Sequence, residues 1–421
     1  MAVEYDAYSA LRVPAFRRYL IATSLVSMGT AAQGLAIGWE VYERTDEALA
    51  LGLVGLVQAI PMLLFTLPAG YLADVFDRRK LMMLSLAGAT LSSLGLAVFS
   101  WYQVSTEWIY CLLFVDSVFI RLGWPARSAI TPLLVPDNIF ENAVKWRTTF
   151  MQITGIGGPA LGGFIIAFNI QAAYVISAFS SALFIAFLAT MRLPPAPRSQ
   201  RGNMLGQVAE GVRFVCHQKL LLGASSLDLF AVLLGGAVYL LPIFAREIID
   251  LEAVGIAPQE ALGWLRAAPA VGACITALLI AHLPPMQKAG KALLVCVAGF
   301  GVATIIFGLS QNFWLSLFML ALTGAFDNVS MVIRHVVLQM STPNEMRGRV
   351  SAVNAIFIGS SNELGGFESG LVAQLFTPVI SVVSGGIGTL VVVAAWTGLF
   401  PSLARLGNLS SLRPRPPEGA G

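Results

Sequence analysis

Long apolar stretches recur along the whole of this 421-residue chain. Each is about twenty residues or longer, which is enough for an α-helix to cross the roughly 30 Å hydrocarbon core of a bilayer. Because lipid offers backbone groups no hydrogen-bond partners, only helices and closed barrels can span it. The stretches are continuously apolar rather than alternating, which excludes a transmembrane barrel. The sequence therefore predicts an all-α membrane protein.

Composition agrees, since 57% of the residues are hydrophobic and 12% are charged, against about 45–50% and about 25% in soluble domains. The first apolar segment is longer than the core of a signal peptide and many spans follow it, so we interpret it as a retained span. Twelve transmembrane helices are predicted: 16–42, 49–73, 79–102, 107–133, 142–168, 171–191, 220–249, 259–282, 289–311, 312–340, 348–376 and 378–405.

Basic residues fall overwhelmingly at alternate ends of these spans. One side holds most of them, including the triplet Arg78–Lys80, whereas the other holds only Arg44, Arg246 and Arg266. By the positive-inside rule the first side is cytoplasmic, which places both termini in the cytoplasm and the protein in the cytoplasmic (inner) membrane. The net charge of +3 is too small to indicate a nucleic-acid partner.

A Pro-rich segment after span six divides the chain near its middle. Apolar residues recur at helical intervals over 205–218, which predicts a short interfacial helix there. The predicted organisation is an N-terminal six-helix bundle (1–191), a cytoplasmic linker (192–219), a C-terminal six-helix bundle (220–405) and a cytoplasmic tail (406–421).

The two halves share an internal repeat at an offset of about 207 residues. Five identities preserve the order of loops and spans, and the offset is half the chain length, so a six-plus-six duplication is the simplest account. Carriers built from such repeats bind substrate near the bilayer midplane. The matched pairs are Phe119 with Phe326, Arg127 with Arg334, Pro136 with Pro343, Gly158 with Gly365, and Gly163 with Gly370.

The loop between spans two and three reads Gly-Tyr-Leu-Ala-Asp-Val-Phe-Asp-Arg-Arg-Lys over 70–80. A small residue at a helix end (Gly70), an acid (Asp74) and bases (Arg78 and Arg79) in a tight turn suit close helix packing and charge-assisted contacts. The loop resembles the signature loop of the major facilitator superfamily. That resemblance implies two pseudo-symmetric six-helix bundles in the major facilitator fold.

The same resemblance implies that Asp74 faces the N-terminal end of span eleven, near Arg347 and Gly348, when the carrier is open to the outside. A helix N-terminus carries partial positive charge that favours a carboxylate. The alternative is that the bases of the loop only set topology. The loop departs from the pattern at Val75 and Asp77, and the equivalent loop of the second half has lost the motif, so the latch is one-sided.

Span five contains Gly158, Pro159, Gly162 and Gly163. Small residues at this spacing let helices pack backbone to backbone, and proline bends the span. The segment is similar to the core of the antiporter signature of exporters in the superfamily, although the upstream glycines of that signature are incomplete. The resemblance implies export.

Two further segments, 125–136 and 342–350, resemble patterns of one branch of the superfamily. This branch holds the enterobactin exporter and relatives of macrolide and multidrug efflux pumps. Its members carry very different cargo, so the resemblance does not name a substrate.

An ionisable side chain within a span is costly when unpaired, which makes each one a functional candidate. Asp116, Asp228, Asp327 and Glu363 lie at intermediate to central depth and are candidates for a carboxyl that loads and releases protons. Arg121 occupies the span in which facilitator carriers often place a proton-relay arginine, without the usual flanking residues. Hydrogen-bonded packing within the bundle is the alternative for each of them.

Four more residues are candidates for gating or substrate contact. Arg127 and Arg334 lie near the cytoplasmic ends of spans four and ten, where they brace the gate or reach lipid headgroups rather than touch substrate. Gln33 and Gln58 are polar residues in apolar surroundings, which either hydrogen-bond cargo or join neighbouring helices.

We therefore predict a secondary active transporter: a proton-coupled exporter of a small amphipathic molecule, siderophore or drug-like, that works by alternating access. No P-loop, His-rich metal box or nucleophile elbow is found, so we expect no ATP-driven pump, enzyme, metal or cofactor. The expected partners are a small-molecule substrate, protons and membrane lipids, and the expected state is a monomer. A lipid or lysolipid flippase and an importer of the same fold are the alternatives within transport, and a non-transporting membrane sensor is the alternative outside it.

Overall fold

The computed structural model describes residues 6–128, 130–191, 204–282, 286–343 and 346–408. Within these ranges thirteen helices are longer than ten residues. They are α1 (Pro14–Thr45), α2 (Ala48–Val75), α3 (Arg78–Trp101), α4 (Thr106–Ser128), α5 (Phe140–Phe168), α6 (Ile170–Thr190), α7 (Met204–His217), α8 (Lys219–Leu234), α9 (Pro258–His282), α10 (Ala289–Leu309), α11 (Phe313–Ser341), α12 (Arg347–Leu375) and α13 (Pro378–Leu399).

Twelve of these helices occupy the predicted spans, which confirms the all-α membrane fold class. Eleven helices among the described residues are long and apolar enough to cross a membrane by length and composition. The twelfth, α12, has 29 residues, enough for about 43 Å of helix. Its polar residues, such as the buried Ser360, Ser361 and Ser369, lower its mean hydropathy. Mean hydropathy therefore fails to identify α12 as a span, because several of its polar side chains pack against protein.

Span seven is not the continuous helix that was predicted over 220–249. Helix α8 ends at Leu234, and the chain continues through Gly235 and Gly236 into a 3₁₀ turn. Glycine is a poor helix former, by about 1 kcal/mol relative to alanine. A Cβ on Gly236 would lie 2.4 Å from the Gly365 carbonyl oxygen. The break thus lets two backbones approach more closely than side chains would allow.

Span four is also shorter than predicted, since 107–133 does not form one helix. Helix α4 ends at Ser128, and a separate single turn follows at Thr131–Leu134. Pro132 opens this turn, and a proline at that position suits the start of a helix because it has no N–H to leave unpaired. The residues predicted as the end of span four therefore form a separate helical turn.

The chain divides into two compact units. Unit 1 comprises Met1–Arg44, Ile60–Gln200 and Leu262–Ala267. Unit 2 comprises Thr45–Ala59, Arg201–Ala261 and Ala268–Gly421. Each has its own apolar core: the first includes Phe16, Met82 and Phe184, and the second includes Leu227, Leu293 and Ile333. The start of α2 thus clusters with unit 2 and a short piece of α9 with unit 1, while the division into 1–191 and 220–405 stays a prediction.

The repeat in the sequence is visible in the packing within each unit. In unit 1 the ring of Phe119 on α4 covers Gly88 of α3, where a Cβ would lie 2.2 Å from the ring. In unit 2 the ring of Phe326 on α11 covers Gly299 of α10 in the same way, at 2.8 Å. The two phenylalanines are repeat-related, so each half uses one aromatic ring on a glycine to join its third and fourth spans.

Helix α7 belongs to unit 2 and packs on the rest of that unit through its apolar side. Phe214 and Val215 belong to the core of that unit. A Cβ on Gly211 would lie 3.1 Å from the backbone oxygen of Arg349 on α12, and the Arg349 guanidinium contacts the Glu210 carboxylate at 2.5 Å. The linker helix is therefore attached to the N-terminal end of α12.

Candidate transport and coupling sites

A buried ion pair joins α8 and α11 in unit 2. The guanidinium of Arg334 binds the carboxylate of Asp228, and the side chains are 10% and 6% exposed. The second guanidinium nitrogen lies 3.5 Å from the Asp327 carboxylate, which is half exposed, and Nε donates to the Ser330 hydroxyl at 3.2 Å. The structure thus brings together three residues that the sequence pattern assigned to two different roles.

A small cavity adjoins this pair. Asp228, Asp327 and Ser330 line it together with Cys296, Phe300 and Phe326. Its polar wall comes from α8 and α11, and its apolar wall includes residues of α10. The cavity therefore borders the Asp228 carboxylate on one side and aromatic side chains on the other.

The second acid that sequence reasoning selected, Asp116, lies in unit 1 at the end of a hydrogen-bond chain. The Ser93 hydroxyl donates to Gln33 Oε1 at 2.6 Å, and Gln33 Nε2 donates to Asp116 Oδ2 at 2.9 Å. Both Gln33 and Asp116 are 3% exposed. The chain connects α3, α1 and α4, and in this conformation the amide of Gln33 is engaged by protein groups.

Glu363 of α12 lies beside the break in span seven. The Tyr239 hydroxyl donates to Glu363 Oε2, and Gly55 of α2 packs against the backbone at Glu363, where a Cβ would lie 2.7 Å from its carbonyl oxygen. Gln58 lies one turn further along α2 and is half-buried. Glu363 is thus bonded to a neighbouring span and belongs to a different cluster from Asp228.

The signature loop forms a capped turn between α2 and α3. The Asp77 carboxylate accepts hydrogen bonds from the backbone N–H groups of Arg79 and Lys80, at 2.8 and 3.1 Å. Asp77 is therefore the N-cap of α3, which gives a physical reason for its departure from the family pattern. The guanidinium of Arg79 donates to the Ala189 carbonyl at 2.7 Å, at the C-terminal end of α6, where the helix dipole favours a cation.

The side chain of Asp74 lies outside the described part of the structure, so the proposed latch on α12 stays a prediction. Gly70 has open space around the position of a Cβ. The Nε atom of Arg78 is buried. The described contacts of the loop therefore account for its turn and for its attachment to α6.

Arg121 and Arg127 lie on α4, C-terminal to Asp116. The backbone carbonyl of Arg127 accepts a hydrogen bond from the Tyr19 hydroxyl at 2.7 Å, which ties the end of α4 to α1. The Arg127 Nε atom is buried. Arg121 is half-buried. Arg127 and its repeat counterpart Arg334 therefore differ, because only Arg334 forms an ion pair within the described residues.

The glycine-rich stretch of α5 packs backbone to backbone on α1. A Cβ on Gly158 would lie 2.9 Å from the Ala31 side chain, and one on Gly162 would lie 2.9 Å from the Ala32 Cα. A Cβ on Gly263 of α9 would lie 2.8 Å from Gly163 and 2.9 Å from the Pro159 carbonyl oxygen. Close packing of this kind is what small residues in a span allow.

One buried polar cluster escaped sequence reasoning. Glu40 is 3% exposed, pairs with Arg44 one turn later, and accepts a hydrogen bond from the Tyr174 hydroxyl at 2.5 Å. Arg44 also donates to the Val104 carbonyl at 2.6 Å. The i,i+4 spacing of an acid and a base was the available signal. The cluster joins α1, α6 and the loop after α3 at one end of unit 1.

Comparison with known proteins decides the family. Residues 5–413 match the profile of a family described as transmembrane secretion effectors. The chain belongs to this family of major facilitator transporters. This confirms the prediction that it is a membrane transporter and not an enzyme.

The relatives of this major facilitator transporter include enterobactin exporters. The enterobactin exporter EntS of Citrobacter koseri is 28% identical over 410 residues, which cover 96% of this chain and 94% of that protein. EntS of Shigella dysenteriae serotype 1 is 27% identical over 384 residues, 90% of each chain. The predicted resemblance to the enterobactin exporter branch is confirmed.

Solved transporter structures share the fold. The nucleoside transporter NupG superposes with a TM-score of 0.74 at 13% identity, covering 92% of this chain and 99% of that one. A bacterial homologue of the human lysosomal transporter Spinster gives a TM-score of 0.69 at 14% identity, covering 93% and 97%. At these identities the likeness concerns the fold alone, and it confirms the major facilitator fold of this transporter.

Proposed function

We propose that this transporter is a proton-coupled exporter of a small amphipathic molecule, of the siderophore or drug-like kind, and that it works by alternating access. Relatives of nearly full length are named as enterobactin exporters, which supports export and makes enterobactin the first cargo to test. The glycine-rich segment of α5, with its resemblance to the antiporter signature, supports the same direction.

The ion pair of Asp228 with Arg334 is the observation that carries proton coupling. An ionised carboxylate in a span needs a cation or a proton to neutralise it, and Arg334 supplies the cation in this conformation. A second carboxylate, Asp327, lies 3.5 Å from the same guanidinium. When a proton binds Asp228, Arg334 keeps Asp327 as its partner, so the guanidinium stays neutralised while the bond between α8 and α11 is released.

This exchange links protonation to helix movement. Asp228 lies on α8 and both Arg334 and Asp327 lie on α11, so protonation replaces a bond between two helices by a bond within one. A small cavity lies beside the Asp228 carboxylate and is also lined by Asp327 and Ser330. A ligand or proton shifts a conformational equilibrium only by binding one state better than the other, and the loss of the interhelical bond supplies that difference.

The test is transport of enterobactin into proteoliposomes that contain the purified protein. We expect an imposed pH gradient to drive accumulation, and we expect Asp228→Asn to abolish the gradient dependence. Glu141→Gln is the matched control, because the Glu141 side chain is 83% exposed on α5. Accumulation of enterobactin that ignores the gradient would overturn proton coupling.

The same vesicles, together with intact cells, distinguish the alternatives. Movement of a fluorescent lysophospholipid in place of enterobactin would support the flippase hypothesis. Accumulation of enterobactin in intact cells, without efflux, would support an importer. Absence of transport for every probe, in protein that stays folded and monodisperse, would support a membrane sensor.

The signature loop is the proposed cytoplasmic gate, with Gly70, Asp74, Arg78 and Arg79 in the first half and Arg127 and Arg334 at the ends of their spans. The distribution of basic residues supports a cytoplasmic location for both termini. This orientation is tested by fusing, at each terminus, a reporter protein that is active only in the cytoplasm. We expect both fusions to be active. We propose a monomer, which the mass measured in nanodiscs checks.

A further inference from the structure

We propose that Asp116 is a second proton-binding site, separate from the Asp228–Arg334 pair and built on the hydrogen-bond chain from Ser93 through Gln33. The inference rests on the proposed proton coupling, and it assigns one proton site to each compact unit. Its geometry is independent of the first site, and so is its experiment.

The hydrogen-bond chain leaves one oxygen of Asp116 available. Gln33 Nε2 donates to Oδ2 at 2.9 Å, while Oδ1 is buried and has no hydrogen-bond partner among the described residues. The direction of the chain is set by its start, because Ser93 donates to Gln33 Oε1 and so leaves the Gln33 amide group as a donor. A proton therefore binds at Oδ1, and Gln33 keeps its bond to Oδ2 in both states.

No basic side chain among the described residues pairs with Asp116. On its own helix, Arg121 lies about 140° around the axis and Arg127 is about 16 Å further along it. Glu107 lies about 14 Å away in the other direction. The charges of α4 therefore provide no counter-charge within reach of the carboxyl group.

The neighbouring helices provide none either. On α1, from which Gln33 comes, the nearest acid is Glu40, about 10 Å further along the axis and paired with Arg44. On α3, which packs against α4, the basic residues are confined to Arg78–Lys80 at its start, about 20 Å from Ser93. Since a buried carboxylate needs neutralising and no cation faces it, a proton is the counter-charge that this site can accept.

The two proton sites are not copies of each other. At the repeat offset of about 207 residues, Asp116 corresponds to Thr323, whose hydroxyl bonds its own helix at the Leu320 carbonyl. Asp228 corresponds to Ile21, which is 43% exposed. The acids of the two halves therefore occupy positions that are not equivalent in the repeat. Asp116 takes up a proton at an oxygen atom that has no hydrogen-bond partner among the described residues. Asp228 takes up a proton in place of its bond to Arg334.

Infrared difference spectroscopy of the protein in nanodiscs tests this without any cargo. A pH step in wild-type protein is expected to change the carbonyl-stretch band of a protonated carboxyl group, and Asp116→Asn is expected to remove one component of that band. Asp228→Asn is expected to leave this component in place. Glu141→Gln, at an exposed acid, is the control and is expected to change no component of a buried carboxyl.

Two further variants keep the test decisive if Asp116→Asn does not fold. Gln33→Ala removes the donor to Oδ2, and Asp116→Glu moves the carboxyl group by one methylene, so each is expected to shift the frequency of the same component. A component that is absent, that persists in Asp116→Asn, or that is present but unchanged over the whole pH range overturns the proposal. Because no cargo is used, failure of enterobactin export would leave the result unaffected.

Discussion

The guanidinium of Arg334 and the carboxylate of Asp228 form an ion pair between α8 and α11 in which both side chains are almost completely buried. Burying two charges is costly, and the attraction between them offsets that cost only while both are present. Removal of one partner is therefore expected to lower the stability of the protein more than removal of both.

Arg334→Ala is expected to destabilise the protein by about 3–5 kcal/mol, because it leaves a buried carboxylate without its cation. The double variant Arg334→Ala with Asp228→Asn is expected to recover much of this loss. Thermal unfolding in detergent micelles measures both. Equal melting temperatures for the single and double variants would contradict the pairing.

Gly162→Ala is expected to cost about 1–3 kcal/mol, because the new methyl group would lie against the backbone of α1 at Ala32 and overpack it. Gly157→Ala, five residues earlier on the same helix, is the matched control. Its new Cβ would lie 3.5 Å from the flexible end of Met28, an ordinary contact, and alanine favours a helix over glycine by about 0.5–1 kcal/mol. Thermal unfolding compares the two, and loss of stability in Gly157→Ala alone would be the contrary result.

Asp77→Ala is expected to lower stability by about 1 kcal/mol, because it removes the cap that accepts from the N–H groups of Arg79 and Lys80. Asp77→Ser retains a capping oxygen and is expected to behave like wild type. The comparison also separates capping from charge in the signature loop. If Asp77→Ser is as unstable as Asp77→Ala, the negative charge is what matters.

Asn142→Ala is expected to release the segment that precedes α1. The Asn142 side chain accepts from the Ala10 N–H at 3.0 Å and donates to the Ala7 carbonyl at 2.8 Å, and Trp146 also donates to that carbonyl at 2.9 Å. Limited proteolysis measures the release, with faster cleavage near Arg12 expected in the variant. Trp146→Phe removes one of the three bonds and retains an aromatic ring, so an intermediate rate is expected.

Hydropathy and charge were enough to predict the twelve spans, because a membrane requires long apolar helices whatever the fold. They did not predict the break after Leu234, since a window of about nineteen residues averages over two glycines. The polar residues of α12 show the opposite error, because burial against protein allows a span to be less apolar than lipid requires.

The site was predictable by residue type and not by pairing. Asp116, Asp228 and Gln33 were selectable because polar groups in a span are rare. That Gln33 bonds Asp116, or that Asp228 pairs with Arg334, depends on how each helix is rotated about its own axis. Spacing along one helix contains no information about that rotation relative to a distant helix. Asp77 looked like a departure from the family pattern until its role as a cap was visible.

The attachment of α7 to the start of α12 has a consequence for biosynthesis. Phe214 and Val215 are synthesised well before Arg349 and Val353, the residues beside which α7 packs. At about 5–20 residues per second, the nascent helix waits on the order of ten seconds for that part of its docking surface. During this time the part of α7 that packs on α12 has no partner there, so its apolar side depends on α8, which shares its core and is synthesised directly after it.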